Sequence, residues 1–212
     1  MLEITIDDRD IEVEENTTLL AACLENHIYI PNLCFLESMA SPSASCRLCF
    51  VEIEGMVRPV ASCTIKVTQG MRIFTDTPKV RRLQRSALRM LLSVHHIDCR
   101  NCPANKQCEL QNIAKFLKMG LNAKFLETEL KDVEIDSTHP YVDYYPNRCV
   151  LCGKCIEVCR EKNGHPSFTF AKRGFHTIIS AYGIEAVQED TCHHCEACVE
   201  ICPVAALMMR TG

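Results

Sequence analysis

Two cysteine runs in the last third of the chain constrain its fold more than any other feature. The final run has the spacing Cys-x2-Cys-x2-Cys-x3-Cys-Pro, at Cys192, Cys195, Cys198, Cys202 and Pro203. An upstream run repeats the spacing at Cys149, Cys152, Cys155 and Cys159. In iron–sulfur proteins with this spacing, three thiolates hold one cluster and the fourth ligates the other cluster. The runs therefore predict one compact unit with two [4Fe–4S] clusters.

The predicted ligand sets cross between the runs. One cluster takes three cysteines of the first run and the last cysteine of the second, namely Cys149, Cys152, Cys155 and Cys202. The other takes Cys192, Cys195, Cys198 and Cys159. A single Cys-x2-Cys pair is weak evidence, but two complete runs with a proline after the last cysteine are specific.

Composition narrows the class of protein. The 212 residues include 16 cysteines, with no signal peptide and no apolar run long enough to span a membrane. The sequence therefore predicts a cytoplasmic protein in which dense cysteine means metal ligation rather than disulfides. A net charge of −4 argues against a nucleic-acid-binding surface. No Gly-x-Gly or P-loop occurs, so nucleotide cofactors are expected on partner subunits.

Residues 1–78 are predicted to form a small β-rich domain. Alternating residues on either side of Asp7-Asp8 predict a hairpin, and Thr17 or Thr18 is placed to cap a following helix. Four spaced cysteines follow, at Cys34, Cys46, Cys49 and Cys63. The central Cys-x2-Cys and the remote partner are typical of a plant-type [2Fe–2S] site, although the first gap is longer. Zinc, which also binds four thiolates, is the alternative.

Residues 79–140 are predicted to be mainly helical. A helix with apolar residues at helical spacing from Val80 to Leu92 leads to His95. The arginines on its other faces are predicted to be solvated, with a partner-docking surface as the alternative; they are Arg81, Arg82, Arg85 and Arg89. Four potential ligands then follow the pattern His-x3-Cys-x2-Cys-x5-Cys, at His95, Cys99, Cys102 and Cys108. The alternative for His95 is a histidine that stabilises the helix end. Residues 127–136 are acidic and predict a solvated connection.

Residues 141–212 hold both runs, separated by a 32-residue insert with a predicted hairpin around Arg173-Gly174. Within the last run, His193 and His194 are expected to point away from the cluster. Cys23 is the one cysteine without a predicted ligand role, and its apolar neighbours predict a small buried core residue.

The order of these motifs resembles the N-terminal iron–sulfur region of the complex I 75-kDa-type subunit and of iron-only hydrogenases. In architecture it is closest to the small diaphorase subunit of soluble NAD-linked hydrogenases. The resemblance is carried by Ile30-Pro31-x2-Cys34, Cys46-Arg47-Leu48-Cys49, the His95 to Cys108 pattern with Glu109-Leu110-Gln111, Arg173-Gly174-Phe175 and Cys202-Pro203. It implies an α+β chain with a β-grasp [2Fe–2S] ferredoxin domain, a small helical His/Cys3 [4Fe–4S] domain and a two-cluster bacterial ferredoxin-like domain.

Two features depart from that family. Relatives usually place a glycine two residues before the second [2Fe–2S] cysteine, where this chain has Ala44. The large catalytic domain that follows in many relatives has no counterpart after Cys202. The sequence therefore predicts no catalytic residues in this chain and places catalysis in partner subunits.

The predicted function is electron transfer within a multi-subunit NAD(P)-linked oxidoreductase such as a hydrogenase, a formate dehydrogenase or an electron-bifurcating complex. The chain would carry one [2Fe–2S] and three [4Fe–4S] clusters between a flavin subunit that binds NAD(P) and a second redox subunit. Two alternatives remain: a free-standing ferredoxin-like carrier and a zinc-bound structural or scaffold protein.

Overall fold

A computed structural model describes residues 1–39, 41–122, 126–182, 192 and 195–210. The chain forms two compact units. The N-terminal unit comprises Met1–Leu88 and Lys115–Met119, and the C-terminal unit comprises Arg89–Ala114 and Gly120–Gly212. The three-domain division at 1–78, 79–140 and 141–212 stays a prediction. No helix among the described residues is both long enough and apolar enough to cross a membrane.

A five-stranded mixed sheet forms the N-terminal unit. Its strands are β1 (Leu2–Ile6), β2 (Arg9–Val13), β3 (Phe50–Ile53), β4 (Val60–Ala61) and β5 (Arg72–Phe74), in the order β2-β1-β5-β3-β4. Only the β1–β5 pair is parallel. The predicted hairpin is confirmed: Asp7 and Asp8 both have positive φ, as a two-residue turn of type I′ requires.

Helix α1 (Leu19–Glu25) packs its apolar side into the core of this unit. Thr18 caps it by accepting a hydrogen bond from the Ala21 amide at 3.3 Å, which satisfies one free N–H of the first turn. Cys23 is fully buried among core residues, as predicted, and burial raises the pKa of its thiol to about 12. The Cys23 thiol is therefore neutral and acts as a small apolar side chain.

Helix α2 (Pro78–Ser93) carries arginines that the sequence assigns to solvated faces, and for two of them this prediction is wrong. Arg81 lies over the Phe116 ring at 4.3 Å and donates to the Phe116 carbonyl oxygen. Arg85 donates to the Leu117 carbonyl oxygen at 3.0 Å. These bonds tie the end of α3 (Glu109–Phe116) to α2, because the last carbonyls of a helix need donors from outside it.

The rest of the C-terminal unit contains short elements around the cysteine runs. They are β6 (Val142–Tyr144), α4 (Lys154–Asn163), β7 (Phe168–Ala171), β8 (Ile178–Ala181), α5 (Ala197–Glu200) and β9 (Leu207–Met209). Strand β6 pairs antiparallel with β9, so the segment before the first run joins the segment after the second. Strands β7 and β8 form the predicted hairpin in the insert.

The acidic connection is exposed for most of its length, as predicted, but it is not solvated throughout. Lys131 is only 9% exposed. Its amide donates to the Asn147 side-chain oxygen at 2.8 Å, and the Asn147 amide group donates back to the Lys131 carbonyl at 2.9 Å. This reciprocal pair of hydrogen bonds attaches the connection to Asn147, which lies two residues before Cys149.

Ala44, the position at which the resemblance predicts a glycine, has a φ of +49°. A side chain in the left-handed region costs about 1–2 kcal/mol, and glycine removes that cost while adding entropy to the unfolded chain. We expect Ala44→Gly to raise the free energy of unfolding by up to about 1 kcal/mol, measured by urea denaturation followed by circular dichroism. Ala21→Gly, the same change inside α1, should lower it by about 0.5–1 kcal/mol. An equal loss in both variants would contradict the left-handed conformation.

Candidate metal centres

The four N-terminal cysteines come together in the N-terminal unit, all 5% exposed or less. Cys34 lies in a loop after α1, and Cys63 lies in a 3₁₀ turn at Ser62–Thr64. The sulfurs of Cys34 and Cys46 are 3.4 Å apart. The loop from Cys46 to Cys49 brings the Cys49 sulfur into the same group, and Cys63 joins it as the hydrogen-bond partner of Cys49.

These thiols form two hydrogen-bonded pairs in the protein alone. The Cys34 and Cys46 thiols are hydrogen-bonded to each other, and a proton kept on Cys46 lowers the pKa of Cys34. A hydrogen bond from Cys63 likewise lowers the pKa of Cys49. The pKa values of the two donors rise because each holds the shared proton and is buried. One thiolate per pair thus forms readily, and a bound cation would displace the remaining protons.

The backbone around Cys49 is held from two sides. The Ser62 hydroxyl and the Ser62 amide both donate to the Cys49 carbonyl oxygen, at 2.8 and 2.9 Å. Arg47, between the two loop cysteines, has a φ of +53° and places its guanidinium over the Phe50 ring at 4.9 Å. The local conformation of the predicted ligand loop is therefore fixed by bonds that do not involve its sulfurs.

His95 is oriented by the backbone just before the first run. Its Nδ1 atom lies 2.9 Å from the Arg148 carbonyl oxygen, so Nδ1 carries the hydrogen and Nε2 keeps the lone pair. Burial lowers the pKa of His95, which favours the neutral ring that binds metal. His96 is exposed, and its backbone amide donates to the Asn147 carbonyl oxygen at 2.6 Å. Of the two histidines, His95 has the geometry of a metal ligand.

The three cysteines after His95 lie on a loop held by its own polar residues. The Gln111 side chain accepts from the Lys106 amide at 2.8 Å and donates to the Asn105 side chain at 3.1 Å. Cys99 and Cys102 are close enough to Cys108 that their charges raise its pKa, after the larger effect of burial. That His95 completes this set stays a prediction.

The paired runs surround two cavities of nearly equal volume. One, of about 330 Å³, is lined by three cysteines of the first run and the last of the second: Cys149, Cys152, Cys155 and Cys202. The other, of about 350 Å³, is lined by Cys159, Cys192, Cys195 and Cys198. Each cavity thus collects four thiols from both runs, in the two groups that the spacing predicts. The prediction for His193 and His194 concerns residues outside the described ranges.

Burial makes these thiols poor thiolates in the protein alone. It raises the pKa of Cys152 and of Cys198 to about 12, and that of Cys155 well above its ordinary value. A positively charged metal centre would stabilise the anionic form that ligation requires. The buried Lys131 adds a cation near Cys149, although burial lowers the pKa of this lysine.

The arrangement of the donor sets does not match that of a single-ion site. Among the described residues, no group of three or more His, Cys, Asp and Glu side chains is arranged to hold one metal ion. Structural zinc requires four ligands at about 2.0–2.3 Å from the metal. In the paired runs, four cysteines instead line one shared cavity in each case.

Sequence reasoning missed the polar residues that contact the predicted ligands. Amides of Leu151 and Ala206 donate to the sulfurs of Cys149 and Cys202, at 3.4 and 3.2 Å. The other contacts come from Tyr144, Asn163, Ser167 and Lys131. Asn163, four residues after Cys159 in α4, had a helical-spacing signal. The remaining three contacts depend on tertiary structure.

Three family models match successive parts of the chain. Residues 1–78 match a 2Fe-2S iron-sulfur cluster binding domain, and residues 84–121 match the NADH-ubiquinone oxidoreductase-G iron-sulfur binding region. Residues 148–206 match a 4Fe-4S dicluster domain. The predicted fold class and the presence of both [2Fe–2S] and [4Fe–4S] binding domains are therefore confirmed.

Curated relatives are similar over nearly the whole chain. The NADPH-Fe(3+) oxidoreductase subunit alpha of Geobacter sulfurreducens is 34% identical over 99% of this chain and 24% of its own length. The NADH-ubiquinone oxidoreductase 75 kDa subunit of Reclinomonas americana is 32% identical over 99% of this chain and 30% of its own length. The chain thus spans less than a third of the length of these relatives.

A solved structure is similar over both chains. A chain from the crystal structure of an NAD+-reducing [NiFe]-hydrogenase in the H2-reduced state has a TM-score of 0.86 and 29% identity. The match covers 100% of this chain and 88% of that one. The resemblance predicted from the motif order is therefore confirmed at the level of sequence and of fold.

The geometry at His95 generates a prediction about one cluster potential. His95→Cys replaces a neutral ligand by an anionic thiolate, so the midpoint potential of that cluster should fall, by on the order of 100 mV. Redox titration monitored by electron paramagnetic resonance measures the shift. His96→Cys, the same change at the exposed neighbour, should leave every cluster potential unchanged. Equal titrations for His95→Cys and the unsubstituted chain would remove His95 from the ligand set.

The two cavities predict crossed effects of the last cysteine in each run. Cys159→Ala should weaken the same paramagnetic signal as Cys195→Ala, and Cys202→Ala the same signal as Cys152→Ala. Each variant should also lose up to about four iron atoms per chain. Cys23→Ala removes a buried cysteine outside the sets and should keep all iron. If Cys159→Ala and Cys152→Ala affect the same signal, each run is self-contained.

Proposed function

Because the chain resembles the iron–sulfur region of the complex I 75-kDa-type proteins over its whole length, we propose that it is the electron-relay subunit of an NAD(P)-linked oxidoreductase complex. It transfers single electrons between a flavin subunit that binds NAD(P) and a second redox subunit. The relatives named above are themselves subunits of NADH- or NADPH-linked oxidoreductases. Hydrogen, formate and ferredoxin are the candidate substrates of the second redox subunit.

One observation carries the proposal: two separate cavities are each lined by four cysteines drawn from both runs. A structural site needs only one such set. Together with the N-terminal cysteines and the His95 loop, the chain offers four sets, to which we assign one [2Fe–2S] and three [4Fe–4S] clusters. Bound clusters supply one-electron redox chemistry.

The residues of the chain hold the thiolates apart from water and fix their positions. All four N-terminal ligands and all four first-run cysteines are buried. Hydrogen bonds from Ser62 to the Cys49 carbonyl, and from the Asn147 side chain to the Lys131 segment, fix the backbone beside two of the sets. Rigid, dry surroundings limit the reorganisation that accompanies a change of charge, which favours rapid electron transfer.

The partners follow from what the sequence lacks. Without a Gly-x-Gly fingerprint, nicotinamide and flavin binding belongs to another subunit, and we place the docking of that subunit near Cys34, Cys46, Cys49 and Cys63. The second redox subunit then docks on the C-terminal unit. We place the resulting hetero-oligomer in the cytoplasm, where such cysteines stay reduced until metal is inserted.

The free-standing carrier is the second candidate, because residues 1–78 and 148–206 match general iron–sulfur cluster binding domains. A relay subunit differs from a free-standing carrier because it has two fixed partner subunits. A diffusing carrier requires one or two clusters, whereas this chain has four ligand sets. The zinc-bound scaffold is disfavoured by the match of residues 1–78 and 148–206 to iron–sulfur domains.

The relay function predicts that the isolated chain cannot use NADH. Purified anaerobically and free of flavin, it should contain about 14 iron atoms and be reduced by dithionite, but NADH should leave its visible spectrum unchanged. Addition of the flavin subunit that copurifies with it should restore reduction by NADH. Cys63→Ala should impair that reduction, whereas Cys23→Ala should not. Rapid reduction of the flavin-free chain by NADH would refute the relay.

A further inference from the structure

A buried tyrosine hydroxyl lies beside the first of the two cavities. Tyr144, the last residue of β6, is 3% exposed and lines the cavity together with Cys149. The Ile179 amide of β8 donates to its hydroxyl oxygen at 3.1 Å. Since this bond occupies the oxygen as an acceptor, the hydroxyl proton is free to be donated to another atom. Tyr144 and Cys149 line the same cavity, which places the hydroxyl proton beside the Cys149 sulfur.

A buried serine hydroxyl has the corresponding place at the second cavity. Ser167 is 1% exposed, and its Oγ lies 3.6 Å from the Cys159 sulfur and 4.0 Å from the Cys192 sulfur. Its backbone amide donates to the Cys159 sulfur at 3.2 Å. The side-chain amide of Asn163 donates to the same sulfur at 3.4 Å. One hydroxyl thus lies between two of the four sulfurs in this set.

The direction of these bonds follows from the charge of a ligand sulfur. A metal-bound thiolate has no hydrogen, so in each contact only the hydroxyl can donate. A donor at sulfur stabilises the reduced cluster more than the oxidised one, because the reduced cluster carries one more negative charge. The bond therefore raises the reduction potential of the cluster that it contacts.

We propose that Tyr144 and Ser167 set the reduction potentials of the two [4Fe–4S] clusters independently, Tyr144 through Cys149 and Ser167 through Cys159 and Cys192. The proposal rests on the proposed function, because it assumes that the two cysteine sets hold clusters. Both are positioning residues: neither ligates the metal, and each acts through the ligand sulfurs of one cluster. The two runs have the same cysteine spacing, but the two hydroxyls differ, and this difference gives each cluster its own environment.

The two hydroxyls come from different parts of the chain, which explains why each acts on the potential of one cluster alone. Tyr144 precedes the first run and is oriented by β8, whereas Ser167 lies in the insert, eight residues after Cys159. No described hydrogen bond links the two side chains, and they line different cavities. Their effects are therefore expected to be additive.

The test removes each hydroxyl while keeping the rest of the side chain. Tyr144→Phe and Ser167→Ala, in the full chain, should each shift the midpoint potential of one [4Fe–4S] cluster downwards and leave the other clusters unmoved. We expect the reduced-to-oxidised ratio at a fixed potential to fall about tenfold, which is 59 mV for one electron. Tyr144→Phe should act on the signal that Cys152→Ala removes, and Ser167→Ala on the signal that Cys195→Ala removes.

Matched controls use the same chemical changes at neighbouring residues. Tyr145→Phe alters a half-buried tyrosine whose ring lies under the Arg148 guanidinium at 4.3 Å, and Ser180→Ala alters a half-buried serine on β8. Neither control should change any potential. Ser167→Thr keeps a hydroxyl and should retain most of the original potential.

A second measurement observes the proton directly. In the reduced chain, electron–nuclear double resonance should detect a proton near each cluster that exchanges with deuterated water, and Tyr144→Phe and Ser167→Ala should each remove one. If Tyr144→Phe loses iron, the role of Tyr144 is tested in the unsubstituted chain instead: detection of the exchangeable proton supports it, and absence of the proton contradicts it. Unchanged potentials in variants with full iron content would overturn the hydroxyl proposal and leave the relay intact. Iron-free but folded preparations would overturn the relay itself.

Discussion

The structure depends on gathering cysteine sulfurs that are distant in sequence into shared, dry spaces. Cys202 lines the same cavity as Cys149, Cys152 and Cys155 only because β9 returns to pair with β6. The thiols meet there in a setting that disfavours their charged form, since burial raises the pKa of Cys152 to about 12. Metal binding and folding are therefore coupled: the fold brings the ligands together, and a cationic centre stabilises them as thiolates.

The N-terminal unit also gathers distant cysteine sulfurs into one buried site, but by a different arrangement. Here the cysteines come from a loop beside a mixed sheet, and neighbouring thiols share protons, which lowers the pKa of Cys34. The loop also uses left-handed residues, at Ala44 and Arg47, to turn its backbone. Bonds from Ser62 fix the carbonyl of Cys49. The sheet and its core thus support the loop, whose Leu48 side chain is fully buried.

The two C-terminal runs show how copies of one motif acquire different surroundings. After the second cysteine of the first run comes Gly153, with a φ of +78°, whereas the second run has Glu196 with a φ of +46°. Both residues make the turn into a short helix, but only glycine does so without steric cost. The polar neighbours differ as well, with Tyr144 at one cavity and Ser167 at the other. Equal ligand spacing therefore does not imply equal electrostatics.

The sequence by itself determined the ligand spacing, the β1–β2 hairpin, the cap at Thr18, the course of α2 and the hairpin in the insert, because each depends on residues close together in the chain. It also indicated which cysteines share a cavity, through the known crossing of such runs. Only the tertiary structure decided that Lys131 is buried, that Arg81 and Arg85 bind carbonyl groups, and that Tyr144 faces Cys149. These contacts join segments far apart in sequence, and no local periodicity encodes such a pairing.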